Sequence, residues 1–190
     1  MHLSIKTNFP EVQKQLDRLH KDLADKAVVM AVNRTMNVAR TAMQREITSR
    51  YNLKAAYVRQ RLAIRRASFK AGRLSFAASL LGTGKRSANL VAFLARKAPN
   101  NGRRGGPQVG FRIRKGGAIS RVPGAFIGNK GRTAFRRTGS ARLPIEALQT
   151  IDVPQMFNQR RINAAVVKVI QERFLSVFEQ QVRFYASRMR

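Results

Sequence analysis

The fold of this chain is decided by residues 162–185, INAAVVKVIQERFLSVFEQQVRFY. The larger apolar residues of this stretch recur at four-residue steps, as Ile162, Val166, Ile170, Phe174 and Phe178. Because an α-helix turns once every 3.6 residues, this spacing places them on one face. The pattern therefore predicts an amphipathic helix that runs almost to the C-terminus.

The start of this helix and a second long helix are also predicted. Asp152 or Val153 precedes Pro154, which suits the first helical turn because its fixed φ is already helical. Near the N-terminus, Asn8 is a candidate cap, and a strand is predicted just before it, over residues 3–7. Apolar residues at three- and four-residue steps then predict a long helix. They are Val12, Leu16, Leu19, Leu23, Ala27, Met30, Ala31, Ala39, Met43 and Ile47.

Between the two helices the pattern changes to strands and loops. A short helix capped by Asn52 is predicted over residues 53–62, and alternating residues predict strands over 74–80, 89–96 and 109–113. Twelve of the 13 glycines follow residue 81, and residues 98–108, APNNGRRGGPQ, have the composition of a loop. The predicted fold class is α+β, with long N- and C-terminal helices packed on a basic antiparallel β-sheet that carries long Gly/Arg-rich loops.

We expect one domain over residues 1–190. Its first part, residues 1–62, is predicted to be mainly helical, and residues 63–150 to form the basic strand-and-loop region. Residues 151–190 supply the C-terminal helix. A hydrophobic content of 44% is enough for a real core, so the chain is not a disordered basic tail.

Charge is distributed very unevenly along the chain. Residues 47–145 contain 23 Lys and Arg and no Asp or Glu, whereas the flanking segments are nearly balanced. This acid-free block supplies most of the +29 formal charge. Such a block repels itself, so the pattern indicates a polyanion or an acidic protein surface as the partner.

The same composition excludes most catalytic chemistry. The chain has no Cys and only two His, which leaves little material for a metal site or a nucleophile–base pair. The segment Gly82-Thr83-Gly84-Lys85 resembles a phosphate loop, but it lacks the required Gly at position 79 and Ser or Thr at position 86. Asp152 is more simply a helix cap than a metal ligand. We therefore expect no enzymatic activity, no metal and no cofactor.

Arginine far outnumbers lysine in the basic block, which suits bidentate contacts to phosphate or carboxylate. No aromatic residues alternate regularly with these arginines, and no DNA-reading motif is present, so contacts to nucleic acid should involve only its backbone. No segment has the roughly 20 apolar residues of a membrane span, and no membrane partner is expected. The residues predicted to contact DNA or an acidic partner are Arg65, Arg66, Arg103, Arg104, Arg112, Arg114, Lys115, Arg132, Arg136 and Arg137.

Three segments in a fixed order resemble the minor tail protein Z family of lambda-like long-tailed phages. They are RVPGAFIG (121–128), TAFRRTGSARLPIEAL (133–148) and TIDVPQMF (150–157). Upstream, MAVNRT (30–35) resembles an Ala-x-Asn-Arg feature of the first helix in that family, and the spaced arginines of 57–66 resemble its basic second helix. The resemblance extends over nearly the whole chain.

This resemblance implies a structural virion protein that is assembled in the host cytoplasm and completes the head-proximal end of the tail. It further implies a role in head–tail joining and in positioning the DNA end in the channel. The implied partners are tail-tube, tail-terminator and head-connector proteins, the genomic DNA backbone, and further copies in a ring, by analogy a hexamer. The basic block suits DNA and acidic neck proteins equally well. A general sequence-independent nucleic-acid-binding protein is the alternative.

Two further expectations concern individual residues. Arg112 and Arg114 alternate with Phe111 and Ile113, which predicts that both arginines lie on the polar face of one strand. Changing both to Glu should then impair assembly or DNA placement and leave the fold intact. Phe126 and Ile127 are expected to pack in the core.

Overall fold

A computed structural model describes residues 2–4, 21–70, 73–75, 77–83, 87–96 and 109–189. These residues form a mixed α+β structure, about 52% helical and 25% strand, which confirms the α+β part of the predicted fold class. The candidate cap Asn8, most of the strand predicted over 3–7, the beginning of the predicted first helix and the 98–108 loop lie outside the described residues.

Four α-helices are present in the described part of the chain. They are α1 (Lys21–Arg50), α2 (Ala55–Gln60), α3 (Val153–Phe157) and α4 (Arg160–Ala186). Helices α1 and α4 pack along each other and supply most of the main hydrophobic core. The two long helices predicted from periodicity are therefore present, and α1 continues without a break to Arg50.

The buried faces of these helices follow the predicted spacing. Phe174 and Phe178 of α4 are buried, as are Ala39 and Met43 of α1. The prediction is wrong for Met30, which is 39% exposed. It directly precedes the buried Ala31 and is therefore rotated by about 100° from it on the helix.

The α3–α4 boundary differs from the single predicted helix. Asp152 caps α3 as predicted, and it forms a capping box with Gln155. The chain then leaves the helical path at Asn158 and Gln159 before α4 begins. The cap predicted at Asn52 is wrong, because α2 begins at Ala55 and the residue at its N-cap position is Lys54.

The strands are short and belong to several sheets rather than one. Every strand pairing among the described residues is antiparallel, and the strand orders are β1-β5-β2, β3-β4, β13-β6, β7-β8-β9 and β10-β11-β12. The strands are β1 (His2–Ser4), β2 (Leu62–Arg65), β3 (Ser68–Lys70), β4 (Arg73–Ser75), β5 (Ser79–Gly82), β6 (Ser87–Asn89), β7 (Leu94–Arg96), β8 (Gly110–Phe111), β9 (Ser120–Arg121), β10 (Ala125–Gly128), β11 (Thr133–Arg137), β12 (Ile145–Ala147) and β13 (Gln149–Ile151).

The predicted strands are interrupted for local reasons. The strand predicted over 74–80 is divided between β4 and β5, which pair with different neighbours. The strand predicted over 89–96 contains a 3₁₀ turn, Leu90–Phe93, whose start is capped by the Asn89 side chain. The strand predicted over 109–113 is reduced to Gly110–Phe111.

Two asparagine side chains connect these short elements. Asn33 of α1 donates to the carbonyl of Ala67 and accepts from its amide, both at 2.9 Å. Asn89 forms the same pair of bonds with Ala134 of β11, at 3.2 and 2.7 Å. Each amide side chain thus replaces one step of a strand ladder, since it offers both a donor and an acceptor.

A second, smaller hydrophobic cluster lies under β10–β12. Its buried members are Val109, Phe111 and Ala134, and Ile127 packs against them. This confirms the predicted core position of Ile127. The prediction is wrong for Phe126, which stacks on Phe135 outside this cluster, because successive residues of a strand point to opposite faces.

Candidate functional site

The predicted contact residues that the structure describes belong to three different parts of the fold. Arg65 and Arg66 end β2 and follow it, the 112–115 group follows β8, and the 132–137 group belongs to β11 and the turn before it. Arg103 and Arg104 lie outside the described residues. Whether these residues act as one site therefore stays a prediction.

The 112–115 group forms an exposed basic turn against the end of α1. Arg114 makes an isolated antiparallel bridge with Tyr51, and the amide of Lys115 donates to the carbonyl of Arg50 at 2.9 Å. Gly116 has a φ of +74°, which suits glycine because it has no Cβ. The C-terminal end of a helix carries a partial negative charge, so the cations are held where α1 favours them.

Arg112 differs from its neighbours in this turn. Arg112 is half-buried, and its backbone amide donates to the carbonyl of Phe93 at 2.9 Å. Its side-chain Nε is buried without a hydrogen-bond acceptor. Arg114 and Lys115 are exposed. A charge reversal at Arg112 would thus disturb packing as well as charge, whereas Arg114 and Lys115 report on the surface alone.

The arginines of β11 alternate between the two faces of its sheet. Arg136 stands opposite Glu146 of β12 and forms an ion pair with it at 3.3 Å, with both side chains about half exposed. The guanidinium of Arg137 lies 5.2 Å from the centre of the Phe126 ring, and its Nε is buried without an acceptor. Arg132 is exposed beside the hairpin turn.

Carboxylates do not neutralise this surface in the described part of the chain. Five of the nine acidic side chains form ion pairs, and the other four lie within residues 11–25. No ion pair involves the exposed residues Arg65, Arg66, Arg114, Lys115 or Arg132. These five cations are therefore uncompensated parts of the protein surface.

One acidic residue, Asp152, sits in a buried polar network. Its side chain is 2% exposed and accepts from Arg61 Nε at 3.3 Å and from the Tyr57 hydroxyl at 3.2 Å. The Arg61 guanidinium also lies 3.5 Å from the centre of the Tyr57 ring. Burial, and then the negative charge of Asp152, raise the pKa of Tyr57 to about 12.

This network borders a cleft of about 470 Å³, which is also lined by Thr83, Ser87 and Asn89. Among the described residues that line the cleft, the ionisable groups are those of the network itself, and they bind one another. The arrangement therefore joins α2 to the start of α3 and supplies no free acid or base. The sequence indicates Asp152 only as a cap, because no local pattern relates it to partners 91 and 95 positions earlier.

The described part of the chain was also compared with the requirements of a metal site and of a membrane span. Within the described ranges, no three His, Cys, Asp or Glu side chains come together as possible metal ligands. No helix in the same ranges combines the length and the apolar character needed to cross a membrane.

Comparison with known proteins yields one match. The family model described as prophage minor tail protein Z (GPZ) matches residues 10–188. No curated protein and no solved structure shows a significant match. The matched range includes all four helices and all the strands except β1.

Proposed function

Because the chain belongs to the prophage minor tail protein Z family, we propose that it completes the head-proximal end of a phage tail and helps that tail join the head. Family membership indicates a structural role in the virion tail, and structural tail proteins are typically not enzymes. Completion of the tail end, head–tail joining and placement of the DNA end are the parts that we propose.

The observation that best supports this role is the uncompensated basic surface. Its five exposed cations have no carboxylate partner among the described residues. In isolation they repel one another, so the surface gains most when an anionic partner covers it. The end of a tail, where DNA and several proteins meet, supplies such partners.

DNA in the channel suits the turn formed by Arg114 and Lys115. In a closed ring, each copy can present the same turn to the axis. A duplex carries one negative charge per ~1.7 Å of its length, so every copy would find phosphates whatever the sequence. Backbone contacts also let DNA slide during ejection, because no base-specific bonds have to be broken. We propose a ring, by analogy a hexamer.

Acidic surfaces of tail-tube, tail-terminator or head-connector proteins are the other partners that we propose. Arginine binds carboxylates as well as phosphates in a two-point geometry, so one chain can use different arginines for DNA and for protein. This division would place the chain between the genome and the neck proteins in the virion.

Deletion of the chain tests the proposed role. A phage without it should form filled heads and tails that fail to join, and supplying the chain from a plasmid should restore infectious particles. The double variant Arg114→Glu/Lys115→Glu should restore fewer particles than wild type, and Lys168→Glu, on the exposed face of α4, is the control. Normal joining without the chain would contradict the proposal.

A general sequence-independent nucleic-acid-binding protein is the second candidate, and the same cations support it. It would bind free duplex with an affinity that falls steeply as salt rises. A tail protein can share that property, so location separates the two. Purified virions contain the chain if the first proposal is correct and lack it if the second is correct.

A further inference from the structure

The sheet β10-β11-β12 has two different faces. Ala125, Ile127 and Ala134 point inward and pack in the smaller hydrophobic cluster. By strand alternation Phe126, Phe135 and Ile145 point to the opposite side. This second side, with Arg137, is the outer face of the sheet, and the exposed Leu143 precedes its strand β12 in the chain by two residues.

The outer face is apolar, with Phe126 and Phe135 half-buried and Ile145 exposed. The Phe126 and Phe135 rings stack with centres 5.8 Å apart, and neither ring belongs to a hydrophobic cluster of the core. Ile145 is 38% exposed and Leu143 is 66% exposed. Large apolar side chains grouped in this way on a charged protein are typical of a surface that another protein covers.

The strands of the outer face also place no carboxylate on it. Glu146 is the only acidic residue of the sheet, and it lies on the other side in its pair with Arg136. Arg137 stays on the outer side, with its guanidinium over Phe126 and its Nε buried without an acceptor. Anything that covers this face must bring its own acceptor, and a carboxylate fits a guanidinium best.

We propose that the outer face docks an acidic protein surface of the virion, one that presents apolar side chains together with a carboxylate for Arg137. This inference rests on the proposed tail function and assigns a separate surface to the protein partner. Duplex DNA fits poorly here, because its backbone offers phosphates but no apolar surface to the two phenylalanine rings. A second copy also fits poorly, because docking two outer faces against each other would bring the two positively charged Arg137 side chains near each other.

Substitutions of opposite charge at one position test the sign of the partner. Ile145→Asp and Ile145→Lys remove the same apolar contact but differ in charge. Ile119→Asp and Ile119→Lys are matched controls, because Ile119 is 40% exposed on the basic segment after the Arg114–Gly117 turn. Each variant, produced in cells infected by a phage that lacks the chain, is quantified in purified tails by immunoblotting.

We expect the amount of Ile145→Asp in tails to be at least tenfold lower than that of wild type. The amount of Ile145→Lys should be at least threefold higher than that of Ile145→Asp. Both Ile119 variants should stay within twofold of wild type. Leu143→Asp, at a more exposed position, should repeat the effect if Ile145→Asp lowers the urea midpoint. Affinity for a 30-base-pair duplex should be the same for Ile145→Asp and wild type.

Four results would overturn the inference. Equal incorporation of Ile145→Asp and Ile119→Asp would show that the face is not covered. Equal losses for Asp and Lys at position 145 would exclude an acidic partner, and a selective loss of duplex binding would assign the face to DNA. Self-association of the isolated chain that Ile145→Asp abolishes would assign it to a second copy. Absence of the wild-type chain from tails would instead refute the proposed function.

Discussion

Removal of the Asp152 carboxylate should destabilise the protein more than any other single change in charge in the described part of the chain. In Asp152→Ala, α3 loses its capping oxygen, which costs about 1 kcal/mol. The Tyr57 hydroxyl and the Arg61 guanidinium lose their acceptor at the same time. Breaking a fully buried ion pair costs roughly 3–5 kcal/mol, but Arg61 is 28% exposed and water can reach it.

After this allowance we expect a total loss of about 3 kcal/mol in the free energy of unfolding. For a protein of this size, that corresponds to a fall of roughly 6–12 °C in the melting temperature. Urea titration followed by circular dichroism measures the loss directly. Asp152→Asn keeps a capping oxygen and should lose less, about 2 kcal/mol.

The matched control is the exposed ion pair between β11 and β12. Glu146→Ala removes a carboxylate that is 57% exposed and paired with an arginine that is 46% exposed. Exposed pairs contribute about 0–1 kcal/mol, so this variant should unfold within about 0.5 kcal/mol of wild type. If the free energy of unfolding of Asp152→Ala also lies within about 1 kcal/mol of wild type, the buried network does not stabilise the junction of α2 and α3.

Three further predictions concern other parts of the molecule. The advantage of wild type over Tyr57→Phe in free energy of unfolding should be constant below pH 10 and shrink between pH 10 and 12. The unfolded chain loses the Tyr57 proton near the usual pKa of 10.0 whereas the folded chain keeps it to about 12; an advantage that grows over this range would contradict the assignment. Asn33→Ala should cost about 2 kcal/mol, because both backbone groups of the residue it holds lose their partners, and Asn37→Ala, a neighbouring position on the same helix, should cost less than half as much in the same urea titration. Arg114→Gln/Lys115→Gln should lower the slope of log affinity for duplex DNA against log salt by about 1.8, if each cation contacts one phosphate; an unchanged slope would remove this turn from the DNA interface.

The sequence predicts best the parts of the fold that depend on regular spacing. The apolar residues at helical spacing around Phe174 predict α4, and those around Met43 predict the C-terminal part of α1. Periodicity works here because it shows directly which face of a helix is buried. Asp152 is also predicted correctly as a cap, since it directly precedes Pro154. These features are local, and neighbouring residues are enough to define them.

Features that depend on distant contacts are not predicted. Alternation in a short segment cannot show which strand it pairs with, so one sheet was expected where several small sheets occur. The bonds of Asn33 and Asn89 join residues 34 and 45 positions apart, and no local signal reveals them. In the candidate site, the exposure of Arg114 follows from its polar character, whereas the burial of Arg112 Nε depends on tertiary packing.

The pairing of α1 with α4 has a consequence for how the chain is made. Translation delivers α1 early, but its packing partner begins only at Arg160, after the whole basic midsection. The apolar face of α1 therefore stays exposed to solvent until α4 has been synthesised, because contacts between distant segments form late. A nascent chain arrested before residue 160 should be a substrate for chaperones, and release of the finished chain should end that dependence.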